Sequence, residues 1–282
     1  MTVEPDPIFA HPRLAAIYDL VDDDRSDLDH YEAIVTEFGA GSVLDVGCGT
    51  GSLAVRLAQC GIDVTGVDPA AASLDVARSK PGADHVTWIC GTVSDVSPTE
   101  FDLVVMTGNV AQVFVSDDAW RETLRLIRDR LAPHGRLVFE TRDPAQAAWE
   151  DWTSERSFRS HDIDGVGSVE TWVETLAVSP PIVRFRWTYR FAEDGVELTS
   201  DSTLRFRSLD EIGRSLEATG YRLDDVRDAP DRPGKEFVVL ATGTGGTHRG
   251  ENGESPGWFP AEAEDLPGPS DEHIHHRSNL KR

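Results

Sequence analysis

The stretch Val43-Leu-Asp-Val-Gly-Cys-Gly-Thr-Gly51 decides the fold of this chain. It begins as an apolar strand, turns into a glycine loop and is followed from Ser52 by a predicted helix. Glycine at positions 47, 49 and 51 lets the backbone turn sharply and approach a ligand without a Cβ atom in the way. The spacing G-x-G-x-G differs from the G-x-G-x-x-G of a phosphate-cradling dinucleotide site. Asp45 favours a cationic or hydroxylated ligand at this loop, because its carboxylate would repel a pyrophosphate.

A second acidic residue follows one strand later. The segment Gly66-Val-Asp68 ends that strand, at a position where a carboxylate can bind ribose hydroxyls. Together the two motifs resemble those of the class I S-adenosylmethionine-dependent methyltransferases. The alternative interpretation is a βα turn in another Rossmann-like domain. The resemblance covers about residues 10–242 and is specific for fold and cofactor rather than for substrate.

The composition limits the class of protein. With 282 residues, the chain can form one large α/β domain with an insertion, or two small domains. Its 50 acidic and 27 basic residues give a net charge of −23, which argues against nucleic acid and anionic membranes as partners. Three cysteines without ligand spacing indicate neither a disulfide framework nor a metal site. No apolar run approaches the ~20 residues of a membrane span, and no signal pattern begins the chain, so a cytoplasmic location is expected.

The order of predicted elements is that of an α/β protein. Residues 1–41 predict helices that can cover a ligand site, because they precede the first strand. Residues 42–143 and 208–242 predict a Rossmann-like methyltransferase core, with a mostly parallel seven-stranded sheet and helices on both faces. The seven predicted strands cover residues 43–46, 63–67, 85–89, 101–106, 136–141, 221–227 and 237–241.

Residues 144–207 predict a three-stranded antiparallel insert, because the hydrophobic period changes there. The middle strand places Val183, Phe185, Trp187, Tyr189 and Phe191 on one face and arginines on the other. The arginines are expected to form ion pairs with carboxylates of the neighbouring strands. The apolar face must pack on the main domain, over the acceptor site or against a second subunit. The insert is therefore predicted to be a substrate cover or a dimer contact, in a monomer or a homodimer.

The last segment, residues 243–282, is rich in Gly, Pro, Glu and Ser and predicts a disordered tail.

By resemblance, four segments would bind S-adenosylmethionine. The glycine loop would surround the methionine part of the cofactor, and the acid at the end of strand two would bind the ribose. The end of strand three would line the adenine, and the loop after strand four would lie beside the transferable methyl. Many family members carry an acid beside the strand-three glycine, where this chain has Thr92, so Asp95 is an alternative contact. The predicted cofactor residues are Asp45, Gly47, Cys48, Gly49, Gly51, Asp68, Pro69, Gly91, Thr92, Val93, Thr107, Gly108 and Asn109.

The acceptor pocket is expected beside strand five, since ligands of parallel sheets bind outside the carboxyl ends of the strands. For each candidate, ordinary packing or an ion pair is the alternative, and Glu140 can simply pair with Arg142. No catalytic base is assigned. The candidate pocket residues are Tyr18, Tyr31, Asn109, Gln112, Glu140 and Arg142.

These features predict an enzyme that moves a methyl group from S-adenosylmethionine to N or O of a small metabolite. A catalytically silent cofactor-binding regulator is the alternative from another class. A nucleic-acid methyltransferase is disfavoured by the acidic charge and by the lack of an N/D-P-P-Y/F motif after strand four. A nicotinamide-dependent dehydrogenase is disfavoured by the glycine spacing and by Asp45.

Overall fold

A computed structural model describes residues 4–21 and 25–244 of the chain. Within those ranges the elements follow the α/β order that the sequence predicts. The strands are β1 (Ser42–Val46), β2 (Asp63–Asp68), β3 (Val86–Cys90), β4 (Phe101–Met106), β5 (Leu131–Arg142), β6 (Arg159–Ile163), β7 (Gly167–Ser179), β8 (Ile182–Phe191), β9 (Glu197–Arg205), β10 (Tyr221–Asp228) and β11 (Glu236–Gly243). The helices are α1 (Pro7–Ala10), α2 (Pro12–Val21), α3 (Asp27–Phe38), α4 (Ser52–Gln59), α5 (Ala71–Ser79), α6 (Asp117–Arg128), α7 (Ser154–Ser157) and α8 (Leu209–Ala218).

Seven strands form the main sheet in the order β10-β11-β5-β4-β1-β2-β3. The pairs among β1 to β5 are parallel, whereas β11 runs antiparallel to both β5 and β10. The carboxyl ends of the parallel strands therefore meet the amino end of β11 at one edge. This confirms the predicted mostly parallel seven-stranded fold.

Helices cover the main sheet on both faces because its central strands are apolar on both sides. Leu28 and Ile34 of α3 and Leu53 of α4 pack against one face, together with Val43 of β1. The opposite face packs against side chains of α6 and α8, which include Trp120, Leu124, Ile127, Ile212 and Leu216. The one acid within β1, Asp45, is almost fully buried.

The insert forms a separate antiparallel sheet in the order β6-β7-β8-β9. It has four strands rather than the three that the sequence predicts. The additional strand, β6, has the sequence Arg-Ser-His-Asp-Ile and lies mostly exposed at the edge of the sheet. Its polar side chains do not alternate with apolar ones, so the usual signal of a half-buried strand is missing.

Two arginines of β8, Arg186 and Arg190, form the predicted cross-strand ion pairs. The Arg186 guanidinium lies 2.8 Å from a carboxylate oxygen of Asp201 on β9. Arg190 lies 3.1 Å from Glu170 on β7 and 3.1 Å from Glu197 on β9. These pairs are exposed, so each contributes little to stability.

The apolar face of β8 is buried within the chain. Tyr189 and Phe191 pack against Leu14 and Ile17 of α2, together with Ile8 of α1. The other half of the face joins an aromatic cluster that is made of Trp149, Trp152, Phe185, Trp187 and Phe206. The N-terminal helices and this aromatic cluster therefore supply the packing that the apolar face requires.

Candidate functional site

The glycine loop after β1 leaves open space at only one of its three glycines. Gly47, Gly49 and Gly51 all have left-handed φ angles, of 73°, 53° and 74°. A Cβ atom at Gly47 would lie 2.6 Å from Val110, and one at Gly51 would lie 2.3 Å from Trp88. A Cβ atom at Gly49 would meet nothing within 4 Å. The two outer glycines thus permit close packing, and the middle one faces the space in which a ligand can approach the backbone.

Two buried acids lie beneath this loop. Asp68 accepts hydrogen bonds from the backbone N–H groups of Gly49 at 2.9 Å and Ala70 at 2.8 Å. Burial raises the pKa of Asp68 above its ordinary value. Asp45 is 1% exposed, and its Oδ1 has no hydrogen-bond partner. Burial, and then the charge of Asp68, raise the pKa of Asp45 to about 7. A cationic or hydrogen-bond-donating ligand group would compensate this buried carboxyl.

The end of β3 forms a small capped turn. The Asp95 Oδ2 atom accepts a hydrogen bond from the Thr92 backbone N–H at 2.8 Å. A Cβ atom at Gly91 would lie 2.5 Å from the same oxygen. Val93 is buried beneath the turn, while Pro69 is exposed on the neighbouring loop. Asp95 therefore lies beside Gly91, and its proposed contact with adenine stays a prediction.

The loop after β4 is held by a closed ring of hydrogen bonds and an ion pair. Asn109 has a left-handed φ of 62°, and its Nδ2 donates to Glu236 Oε2 at 3.2 Å. Glu236 Oε1 lies 3.4 Å from Arg142 Nε. Arg142 in turn donates to Gln112 Oε1 at 2.9 Å. The backbone N–H of Gln112 closes the ring by donating to the Asn109 carbonyl oxygen at 2.9 Å. We call these four residues the amide ring.

The amide ring fixes the polarity of its two side-chain amides. Asn109 directs its Nδ2 to a carboxylate and Gln112 directs its Oε1 to a guanidinium, so neither amide can be reversed. The remaining atoms, Asn109 Oδ1 and Gln112 Nε2, are buried without a hydrogen-bond partner. The loop therefore holds one acceptor and one donor that a ligand could satisfy.

Glu140 lies beside the ring and does not pair with Arg142. It accepts a hydrogen bond from the Asn109 backbone N–H at 3.0 Å and another from the Tyr31 hydroxyl. Burial raises the pKa of Glu140, and burial together with Glu140 holds the pKa of Tyr31 well above its ordinary value. Tyr18 of α2 is half-buried and lies close enough to Arg142 to influence the pKa of the Arg142 guanidinium. The six candidate pocket residues thus lie at one edge of the sheet.

Two further residues of this edge were missed by the sequence analysis. Glu236 is 3% exposed and pairs with Arg142, and Arg232 donates to Glu236 Oε1 at 2.7 Å. Glu236 reaches the edge because it lies opposite Arg142 in the antiparallel β5–β11 pair. An acid just before a predicted strand carries no local signal of this cross-strand position.

The N-terminal helix α2 contacts the glycine loop through Asp19. Its Oδ1 accepts a hydrogen bond from the Thr50 hydroxyl at 2.7 Å, and its Oδ2 lies 2.6 Å from Lys80 Nζ. Ser52, the first residue of α4, donates to Asp19 at 3.3 Å. This contact places α2 beside the glycine loop, and a covering role of the N-terminal helices stays a prediction.

Comparisons with known proteins bear on this arrangement. Residues 43–135 match the family described as methyltransferase domain. A mitochondrial ubiquinone biosynthesis O-methyltransferase of Schizosaccharomyces pombe is 32% identical over 110 residues, which are 37% of this chain and 39% of that protein. The solved structure of a S-adenosylmethionine-dependent methyltransferase from Clostridium acetobutylicum is 18% identical, with a TM-score of 0.66 over 83% of this chain and 98% of that one. An amino pentose methyltransferase of Micromonospora echinaspora involved in calicheamicin biosynthesis, solved with bound S-adenosylmethionine, is 22% identical, with a TM-score of 0.61 over 81% and 97%.

Residues 43–135 therefore carry a methyltransferase domain, and the described chain has the fold of the class I S-adenosylmethionine-dependent methyltransferases. The methyltransferase domain and the fold predicted from the glycine loop are thereby confirmed. The chain spans only 39% of the length of the yeast relative, and the solved structures are similar in fold. No helix among residues 4–21 and 25–244 is both long enough and apolar enough to cross a membrane.

The residues of the methyltransferase fit the cofactor of its family. The open side of Gly49 can admit the ligand, and the unpartnered Asp45 Oδ1 suits the ammonium group of its methionine part. Asp68 lies at the carboxyl end of β2, where ribose hydroxyls are expected, with both oxygens already held by backbone amides. Among the described residues, no group of three His, Cys, Asp or Glu is arranged to hold a metal ion.

Proposed function

We propose that this protein transfers a methyl group from S-adenosylmethionine to the amino nitrogen of a small polar metabolite. The observation that carries the proposal is the amide ring, which lies at the same sheet edge as the open glycine loop. Two buried amide atoms of fixed polarity at this edge have no hydrogen-bond partner within the chain: Asn109 Oδ1, an acceptor, and Gln112 Nε2, a donor. An amino or hydroxyl group on the acceptor would satisfy both.

When bound, S-adenosylmethionine supplies an electrophilic methyl group. The chain's own contribution is to hold the two reactants in line and to exclude water, which supplies much of the acceleration in such transfers. Gly49 and Asp45 would orient the methionine part and Asp68 the ribose. Thr107, Gly108 and Asn109 follow β4 directly and would lie nearest the transferred methyl.

The candidate proton acceptors at this edge favour an amine over a hydroxyl acceptor. A hydroxyl must lose its proton to a base during transfer, whereas an amine needs only to arrive neutral. Both oxygens of Glu140 already accept hydrogen bonds, one from the Tyr31 hydroxyl and one from the Asn109 backbone N–H. A pKa held well above the ordinary value also makes the Tyr31 hydroxyl a weak source of a phenolate base.

A small acceptor is supported by the aromatic cluster. Trp149 and Trp152 lie after β5 in the chain and pack with Phe206. The Arg142 guanidinium lies 5.7 Å from the Trp152 ring centre, which links the cluster to the amide ring. An acceptor bound at the amide ring would therefore have these aromatic rings beside it. The amino pentose methyltransferase of similar fold acts on a small sugar that carries an amino group.

The test is a titration followed by a transfer screen. Calorimetry with S-adenosylmethionine and with NAD would show binding of the first and not of the second. A panel of amino sugars, small amines and their hydroxyl counterparts would then be incubated with the cofactor, and methylated products would be detected by mass spectrometry. Transfer to a hydroxyl counterpart alone would contradict the amine assignment. Tight cofactor binding without any transfer would favour the silent regulator.

The matched variants for the screen are Asn109→Leu and Gln112→Met. Each keeps a similar volume but removes one of the two unpartnered amide atoms together with one side-chain hydrogen bond of the amide ring. We expect both to lower turnover by about tenfold or more, because the acceptor loses a buried hydrogen bond worth about 1–3 kcal/mol. Val113→Met, on an exposed position of the same loop, is the control and is expected to leave turnover unchanged.

A further inference from the structure

The segment that joins the insert to α8 connects two parts of the site. Phe206 packs edge to face on Trp149, with ring centres 4.7 Å apart, and belongs to the aromatic cluster. Its neighbours Arg205 and Arg207 contact the loop after β4 instead. This alternation follows from the extended backbone, in which successive side chains point to opposite sides.

Arg207 donates hydrogen bonds to three backbone carbonyls of that loop. Its guanidinium reaches the Phe114 oxygen at 2.6 Å and the oxygens of Ala111 and Ser116 at 3.4 Å. The residue is only 3% exposed, and its guanidinium lies 5.2 Å from the centre of the Trp120 ring. Burial lowers the pKa of Arg207 to about 10, so the side chain stays positively charged at neutral pH.

A buried charge is costly, so its contacts indicate what it stabilises. The nearest carboxylate is Asp117, at 3.9 Å, and Arg207 Nε has no hydrogen-bond partner. Arg207 therefore has no close carboxylate partner, and its hydrogen bonds go to backbone carbonyl oxygens of the loop after β4. Arg205 reinforces the same loop by donating to the Val115 oxygen at 3.1 Å.

The loop is thus held from two directions. On the sheet side, Asn109 and Gln112 belong to the amide ring, which Glu236 and Arg142 anchor. On the insert side, the planar guanidinium of Arg207 binds the carbonyl oxygens of Ala111, Phe114 and Ser116, which lie on both sides of Gln112 in the chain. A lysine could not replace it, because one ammonium group does not present a planar fork of five N–H donors.

We infer that Arg207 is a positioning residue for methyl transfer, which fixes the loop of residues 107–116 so that Asn109 and Gln112 meet the acceptor in one orientation. This inference rests on the proposed function. It assigns a role to the end of the insert: the segment that follows β9 sets the position of the acceptor loop.

The test compares Arg207→Lys with Arg130→Lys. Arg130 is a matched control, because it also binds backbone carbonyls, those of Val96 and Leu126, but near the start of β5. Hydrogen–deuterium exchange of peptides that cover residues 107–117 reports on the loop, calorimetry reports on S-adenosylmethionine affinity, and turnover is measured with the best amine of the panel. Melting temperatures report on global stability in both variants.

We expect Arg207→Lys to raise the exchange rate of the loop amides by about tenfold or more, since local opening becomes easier. Turnover should fall by about tenfold to a hundredfold, because small misplacements of reacting groups are costly, with cofactor affinity within about threefold. Arg130→Lys should lower the melting temperature comparably and leave loop exchange and turnover unchanged. If Arg207→Lys does not fold, Arg205→Lys removes the neighbouring contact and should raise loop exchange in the same direction.

Unchanged loop exchange in a folded Arg207→Lys variant, or an equal effect of Arg130→Lys on the loop, would overturn the inference. Loss of turnover without any change in loop exchange would also overturn it. Failure of the proposed function is separable, because wild-type protein would then transfer no methyl group, while loop exchange would still decide the role of Arg207.

Discussion

At the scale of single residues, Asp45 is a group whose chemistry the fold alters strongly. An apolar strand carries this carboxyl into the interior beside Asp68, and one of its oxygens has no partner. A raised pKa in the folded state means that folding favours the protonated form. Without a ligand, Asp45 therefore lowers the stability of the protein at neutral pH, which is the expected cost of preparing a site for a cationic group.

Asp45→Asn should stabilise the cofactor-free protein in a pH-dependent way. The ordinary pKa of 3.8 rises to about 7 on folding. The protonated Asp45 makes its full contribution to folding stability below pH 3.8, and this contribution is lost progressively until the pH exceeds about 7. The wild-type protein therefore loses about 4 kcal/mol of stability across this range. Asn is neutral at every pH, so the variant does not lose this stability. Thermal unfolding from pH 4 to pH 8 should show a widening advantage of the variant, together with weaker cofactor binding.

The exposed Asp84→Asn is the control for this pH series. It should follow the wild type at every pH. A constant difference between Asp45→Asn and wild type across the range would show that Asp45 is not protonated on folding.

Gly49→Ala should weaken cofactor binding because its Cβ atom would enter the space of the ligand, and Gly39→Ala is the control for backbone strain alone. Both glycines have similar left-handed φ angles, 53° and 59°, and a Cβ at either would meet nothing within 4 Å. Both variants should therefore lose about 1 kcal/mol of stability from backbone strain. Only Gly49→Ala should lose S-adenosylmethionine affinity, by about tenfold or more, in calorimetric titration. Equal S-adenosylmethionine affinities of the two variants would show that the cofactor does not bind against Gly49.

At the scale of elements, the N-terminal helices depend on the insert sheet. Phe191 of β8 is fully buried against α1 and α2, and the Arg13 guanidinium of α2 lies 3.5 Å from its ring centre. The same helix carries Tyr18 and Asp19 to the site. Packing between the insert and α2 therefore contributes to the geometry of the glycine loop.

Phe191→Ala should cost about 3–5 kcal/mol of unfolding free energy, as expected for a large side chain removed from a core. Urea denaturation measures this loss, and Phe158→Ala at an exposed position is the control. Faster hydrogen exchange in α2 should accompany it. If α2 kept its protection in a folded Phe191→Ala variant, the helix would be held independently of the insert.

At the scale of the whole molecule, the fold is complete at Thr244 within the described residues. Thr244 extends from β11 and donates through its backbone N–H to the Gly220 carbonyl oxygen at 2.8 Å. The predicted disordered tail, residues 243–282, lies outside the described residues from position 245 onward. Its composition offers few apolar side chains for burial, so the tail is not expected to contribute to the core.

A protein shortened after Thr244 should keep its melting temperature within a few degrees and its cofactor affinity within about twofold. Differential scanning fluorimetry and calorimetric titration on the shortened and full-length chains provide the measurement. A fall in melting temperature of about ten degrees would mean that the tail packs on the described part of the protein.

The sequence by itself determined the features that have a local signal. The apolar strand before Gly47 predicts a strand, loop and helix, because chain direction and glycine spacing are both readable. The strict alternation of Val183 to Phe191 predicts a sheet with one buried face. Acids at positions 45 and 68 could be assigned to the loop because each lies near the end of a strand whose end is predictable.

Only the tertiary structure decided which distant residues meet. Glu236 completes the amide ring because β11 runs antiparallel to β5, and Arg207 reaches the loop because β9 ends beside it. Strand β6 forms because β7 offers it an edge, although its own residues lack alternation. The physical reason is that the contacts of Arg207 and Glu236 join residues 93 and 127 positions apart, while β6 pairs with its neighbour without a periodic pattern of its own, so no local stretch of sequence specifies them.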